Sequence, residues 1–379
     1  MNRTALRLIP PVLNPAALSL LLGLSCSPLS NAAGMLAGLD AGGGSSSYAT
    51  GISLDGSIVV GFTHHQGYRA FRWANNNMGD LGVLGGKSSQ ASAVSADGAV
   101  VAGYTQLASY QSGDTSRHAF RWVGNAMSDL GTLGGNNSFA KGVSADGAVV
   151  VGYSQLPAKP VTGDVVRHAF RWANNVMTDL GTLGGAVSEG AAISADGKVI
   201  VGQSDIEADR ASHAFRWANN VMTDLGTLGG SSSYATGVSA DGSVIVGHSL
   251  LAGDTVLHAF RWSNNKMTDL GDLGGATSLA NGVSPDGNVV VGKSRNADNT
   301  FQAFRWTATT GMQSVAAWLD AGGVAHDGWK LESSMAVSTS IIAGNGINPA
   351  GIPVAFIARV DTPKPQATAL PAGQPGNQQ

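Results

Sequence analysis

One stretch of sequence recurs six times along this chain, and its spacing restricts the fold more than any single residue does. The unit reads roughly G-V-S-A-D-G-x-V-V-V-G, then a variable stretch, then H-A-F-R-W-x-N-N-x-M-T-D-L-G-T-L-G-G. Its tryptophans stand at Trp73, Trp122, Trp172, Trp217, Trp262 and Trp306, spaced by 49, 50, 45, 45 and 44 residues. A fixed period of about 20–50 residues means a solenoid, a propeller or an array.

Each unit holds four strand-like segments. The first runs into Asp-Gly, as at Asp146-Gly147, which predicts a two-residue type I′ hairpin with positive φ at both positions. The second is a β-branched run such as Val149-Val150-Val151, suited to a strand buried on both faces. The third, Ala-Phe-Arg-Trp, alternates so that Phe170 and Trp172 share a face, and Asn174-Asn175 then predicts another tight turn. The fourth runs from Met177 to Leu183 and closes on Gly184-Gly185. Four antiparallel strands in about 45 residues fit a propeller blade better than a β-helix rung. Helical periodicity is absent.

The ends of the chain set the number of blades. A degenerate seventh copy is visible at Val337-Ser338, Ile341 to Gly344 and Ala355-Phe356, and Met35 to Gly43 has the length of a fourth strand. The sequence therefore predicts an all-β, seven-bladed propeller of four-stranded antiparallel blades. The N-terminal strand completes the last blade and leaves no open sheet edge. Six blades with an odd cap is the competing count, because the seventh copy lacks Asp-Gly and Ala316 to Glu332 has unusual spacing.

Composition excludes some functions. Charged residues make up 12% of the chain, the net charge is −3, and there are 53 glycines. No basic field exists to hold nucleic acid or an anionic membrane. Residues 1–32 read as a signal peptide: Arg3 and Arg7, an apolar run from Ala16 to Leu24, and small residues at Ser30-Asn31-Ala32. Cys26, the single cysteine, leaves with that leader; lipid attachment there is the lesser reading, because Gly23 stands where a lipobox prefers leucine. The propeller occupies 33–360, and a Pro/Gln-rich tail, expected to be disordered, occupies 361–379. The mature chain is expected to be a monomer in the cell envelope or outside the cell, with no transmembrane segment.

His118-Ala119-Phe120, His168-Ala169-Phe170, His213-Ala214-Phe215 and His258-Ala259-Phe260 resemble the repeat of the HAF family of extracellular repeat proteins, over about residues 34–358. The resemblance implies a bacterial exported or surface protein, often joined to an autotransporter translocator. It implies no biochemical activity, and nothing after Val360 could form a membrane barrel.

The repeated polar residues read as structure. The histidine position holds Arg69 in the first copy and Gln302 in the sixth, so a metal ring is not expected; each imidazole should bond nearby backbone. The arginine of Phe-Arg-Trp should pair with the aspartate of Met-Thr-Asp-Leu (Asp129, Asp179, Asp224, Asp269). The Gly-Gly pairs precede no helix and bind no phosphate. Asp205, Glu207 and Asp209 lack the spacing of a calcium loop.

Function is sought where the copies differ, in the connections between the second and third strands. The candidate ligand-binding residues are Tyr110, Asp114, Phe139, Lys159, Asp164, Tyr234 and Arg295, on a shallow polar face with Tyr48. The expectation is a non-enzymatic module without cofactor or metal that binds a protein or glycan there. The alternatives are a propeller lyase or hydrolase working at the central channel, for which the small strand-one residues are unfavourable, and a purely structural surface protein.

Overall fold

A computed structural model of the protein describes residues 34–40, 45–64, 67–108, 116–157, 166–207 and 211–361. The leader with Cys26, the tail from 362 onward and the candidates Tyr110, Asp114, Lys159 and Asp164 lie outside the described residues. The described strands form seven four-stranded antiparallel sheets, the blades of a propeller. Blade 1 runs outward through Ser46–Ile52, Ile58–His64, Tyr68–Ala74 and Asn77–Asp80, and blades 2 to 6 repeat that order. Blade 7 takes Lys330–Val337, Ile342–Ile347 and Pro353–Val360 from one end of the chain and Gly34–Leu39 from the other. Gly34–Leu39 pairs antiparallel with Pro353–Val360, from Gly34 opposite Val360 to Leu39 opposite Ala355.

The Asn-Asn turn forms as expected, and the Asp-Gly turn differs from expectation. Asn174 and Asn175 have φ of 52° and 61°, the type I′ signature. At Ser144-Ala145-Asp146-Gly147 only the glycine is left-handed, with φ of 70°. The reason is the serine: Ser144 Oγ donates to Asp146 Oδ1 (2.6 Å) and accepts from Val149 N (2.9 Å), while Gly147 N donates to Ser144 O (2.9 Å). These bonds span a longer turn whose last residue alone needs positive φ. A Cβ on Gly147 would also lie 2.4 Å from Val100 of the preceding blade, so two constraints require glycine.

Blades join through apolar faces and a serine. Phe170 of blade 3 is fully buried among Ala140 and Val150 of its own blade and Ala102, Ala119 and Leu130 of blade 2. Beside it, Ala119 N donates to Ser138 Oγ (2.8 Å), which donates to Gly131 O (2.6 Å). Ser89, Ser188, Ser233 and Ser278 repeat the bridge, and Ser47 repeats it at the closure, accepting from Ala355 N and donating to Leu39 O. Around the turn face, backbone bonds link Leu54 to Ala96, Ala96 to Ala145, Ala145 to Ala195, Ala195 to Ala240 and Ala240 to Pro285 (2.9–3.1 Å). Proline has no N–H to extend this chain.

Two boundaries also move. The fourth strand is shorter than the sequence implied (Val176–Asp179), and the Gly-Gly pair opens the next blade, Gly184–Ile193. The oddly spaced segment before blade 7 contains a helix, Val315–Ala321, capped by Ser314 Oγ accepting from Ala317 N (3.1 Å). Val315 and Leu319, one turn apart, are buried.

Candidate functional site at the channel mouth

The innermost strand of every blade carries a β-bulge, which places one extra residue at the axis. Bulges re-aim a side chain at the cost of ladder regularity, and they are over-represented beside active sites. Here the bulge residues are Thr50, Ser92, Lys141, Ala191, Thr236, Asn281 and Met335, and all line the central channel, a space of about 210 Å³. Toward the turn face the channel is lined by Ile52, Val94, Val143, Ile193, Val238, Val283 and Val337, a uniform aliphatic ring.

Toward the loop face the side chains change from blade to blade. Two residues before the bulge residue, the inner strands of blades 1 to 6 present Tyr48, Gln90, Phe139, Glu189, Tyr234 and Leu279. Their cross-strand partners are Phe62, Tyr104, Tyr153, Gln203, His248 and Lys293. A cavity of about 440 Å³ opens among Gln90, Tyr104, Lys141, Glu189, Tyr234 and His248. The expectation of mostly Gly, Ala, Val and Ser on the first strand thus fails at this level of the channel.

The mouth has an aromatic side and a charged side. Tyr104, Phe139 and Tyr153 form a string with ring centroids 4.9 and 5.0 Å apart, and Tyr104 Oη donates to Gln90 Oε1 (2.5 Å). Lys141 Nζ and the Arg167 guanidinium lie 5.7 and 5.8 Å from the Tyr153 ring, and Arg167 Nε pairs with Glu189. Burial lowers the Lys141 pKa, and Glu189 acts against that shift. Burial, then the Glu189 charge, pushes the Tyr153 phenol up to about 12, and burial also raises Tyr104. Across the mouth, His248 stacks on Tyr234 at 5.1 Å, and its Nδ1 is buried without a partner among the described residues. Burial, helped by the Lys293 charge, lowers its pKa to about 4, so the imidazole is neutral at pH 7.

The conspicuous repeated residues sit elsewhere. His118, His168, His213 and His258 bond through Nδ1 to Asp129, Asp179, Asp224 and Asp269 at 2.8–2.9 Å, so their partner is a carboxylate and not backbone. Arg69 pairs with Asp80 in the same way, and in blade 6 Gln302 and Ser314 replace both partners. The expected Arg–Asp pairing is therefore incorrect. Arg72 and Arg121 Nε donate instead to the carbonyls of Gly98 and Gly147 in the next blade, both at 2.9 Å. Among the described residues, no three His, Cys, Asp or Glu side chains gather as a metal site.

Of the sequence candidates, Phe139 and Tyr234 are brought to the mouth, on strands and not on loops. Arg295 lies apart, with its guanidinium 4.4 Å from the Phe301 ring. Sequence reading missed Lys141, Glu189, Tyr104, Tyr153 and His248. Their signal was variation inside a fixed motif: S-F-A-K-G, S-E-G-A-A and S-Y-A-T-G are the same strand with its axial letters changed.

No family model matches the chain, and no curated protein is similar to it. Solved structures are similar in fold. Puromycin hydrolase superposes with a TM-score of 0.54 at 10% identity, over 83% of this chain and 53% of that one. The β-propeller domain of the Trilobed protease from Pyrococcus furiosus gives 0.51 at 11% identity, over 70% and 81%. TolB from Acinetobacter baumannii gives 0.43 at 14% identity, over 83% and 63%. The chain thus spans under two thirds of that TolB and about half of puromycin hydrolase.

These findings correct the expectation of a non-enzymatic module acting through its strand-two-to-three loops. The two better superpositions are with a hydrolase and with the propeller of a protease. The polar residues that differ between blades converge at the axis, where the channel alternative requires them.

Proposed function

We propose that the protein is a propeller enzyme whose site is the channel mouth, and that its chemistry is acid–base elimination on an extended, anionic substrate. The observation that carries this reading is the convergence of Lys141, Glu189, Tyr104 and His248, from four different blades, on one cavity. Lys141 and Arg167 supply positive charge to hold a substrate carboxylate and to stabilise the negative charge that develops beside it. His248, neutral above about pH 4, can accept a proton. Tyr104 and Tyr153, held protonated by burial, can return one to a leaving oxygen. Glycoside hydrolysis usually calls for two carboxylates facing the bond, and Glu189 is the single carboxylate among the described residues lining this cavity. That difference favours a lyase over a hydrolase.

A uronate polymer is the substrate class with this chemistry: a carboxylate beside the carbon that loses its proton, and a glycosidic oxygen that departs. The basic, apolar and small-residue order of residues 1–32, with the HAF-type repeat, supports export to the compartment where such polymers occur. No helix among the described residues is long and apolar enough to cross a membrane. The experiment is incubation with a panel of uronate polysaccharides, following the ultraviolet absorbance of the unsaturated product. Turnover by the native protein should fall by about 10²–10⁴-fold in His248→Gln. A panel left uncleaved, or cleaved equally fast by His248→Gln and Lys141→Ala, would sink the proposal.

A further inference from the structure

The junction between blades 6 and 7 departs from the others in three ways, and a cavity of about 780 Å³ opens there. First, the bridging serine is gone. Leu331 pairs with Gly346 in the register where Ser278 pairs with Ser294, so Leu331 stands in its place. Ala303, whose counterparts donate their N–H to that serine, lines the cavity instead. Second, Gln302 and Ser314 replace the paired histidine and aspartate. Third, the glycine-rich connection between blades gives way to the helix Val315–Ala321 and the chain leading to Lys330.

The walls that result have a definite chemistry. Phe301, Trp329, Leu331 and Ile347 supply apolar surface. Lys293 Nζ lies 4.7 Å from the Phe301 ring, the Arg295 guanidinium lies 4.4 Å from the same ring, and Lys330 lines the opening. Arg295 stands outside the lining and donates through Nη1 to Asn299 O and Oδ1 (2.6 and 3.0 Å). Among the described residues neither Lys293 nor Lys330 forms an ion pair, and Glu332 is the one acidic side chain on the lining. A volume of this order is usual for a small-molecule site, where apolar walls supply affinity and a few polar groups fix orientation. Unpaired cations beside a low-dielectric wall favour an anion with its own apolar body.

We infer that this cavity binds a small carboxylic acid with an aromatic or branched apolar body, as in a free aryl acid or the carboxyl end of a peptide. The apolar part packs on Phe301 and Trp329, and the carboxylate meets Lys293 and the Gln302 amide. The cavity borders the channel mouth and shares Lys293 with its rim, but the inference does not depend on the activity proposed for the mouth.

Calorimetric titration of the whole chain tests this, with N-acetylphenylalanine and phenylacetate as probes and their neutral amides as controls. Saturable binding of either acid, about tenfold tighter than its amide, upholds the inference, and the better acid identifies the source. Lys293→Met should lower that affinity about tenfold, and Ala316→Phe, which fills the cavity, should abolish it. Glu189→Gln at the mouth should leave it unchanged. Equal affinity for acid and amide, no saturable binding of either acid, or full binding by Ala316→Phe would overturn it. If Ala316→Phe does not fold, Lys293→Met decides alone, with unchanged affinity as the contrary result.

Discussion

The two ends of the axial channel are built from the same seven strands yet obey opposite rules. At the turn end every blade contributes Val or Ile, and backbone bonds run from blade to blade as far as Pro285. At the loop end, the strands of blades 1 to 6 carry Tyr48, Gln90, Phe139, Glu189, Tyr234 and Leu279, with no residue type shared by more than two of them. A closed ring needs one sound junction copied many times, and it gains nothing from copying an axial side chain. Uniformity therefore marks what holds the molecule together, and divergence marks what it holds.

Three substitutions probe this contrast. The largest effect is expected at the junctions. Phe170→Ala removes a fully buried ring shared by blades 2 and 3 and should cost about 3–5 kcal/mol in chemical denaturation. A loss below about 1 kcal/mol would remove the copied junction from the account of stability.

The second effect tests the divergent end. The folded-state pKa of His248 is about 4, below its ordinary 6.5, so the unfolded chain binds the extra proton between those values. Stability supported by the neutral imidazole is complete above pH 6.5 and declines as pH falls towards 4, by up to about 3 kcal/mol. His248→Gln should flatten the stability–pH curve in that window. An unaltered slope would mean that the imidazole is not the buried neutral group of the mouth.

The smallest effect is expected at the histidines that catch the eye in the sequence. His168 and Asp179 form a partly exposed pair, so His168→Ala should cost less than about 1 kcal/mol. Zinc should shift the melting temperature of native and variant protein alike. A selective shift in the native protein would restore these histidines as ligands.

Much of the fold was legible because each strand is specified locally, and the copies reinforce one another. The Trp spacing gave the blade length, and the extra fourth-strand segment near Met35 gave the count. The turn at Ser144 to Gly147 was not legible from Asp-Gly alone, since the serine hydroxyl that lengthens it lies outside that dipeptide. The Arg–Asp pairing failed for a related reason: both partners repeat once per blade, and sequence does not say whether Arg121 reaches Asp129 beside it or Gly147 in the next blade. The mouth was not legible in the loops because its side chains stand on the first and second strands of each blade. A bulge residue such as Lys141 has no local signature; only the ring brings it beside Glu189, 48 positions away.

The bulge repeated in each inner strand has a further consequence. It separates the alphabet of the site from the grammar of the fold. Blades 2 and 4 use the same phenylalanine and serine contacts at their borders while offering Gln90 and Ser92 in one case and Glu189 and Ala191 in the other. Exchanging one inner strand for another, by recombination between near-identical copies in a gene, would rewrite the axial chemistry and leave every border intact. Such a ring can acquire a new specificity without first acquiring a new way to fold.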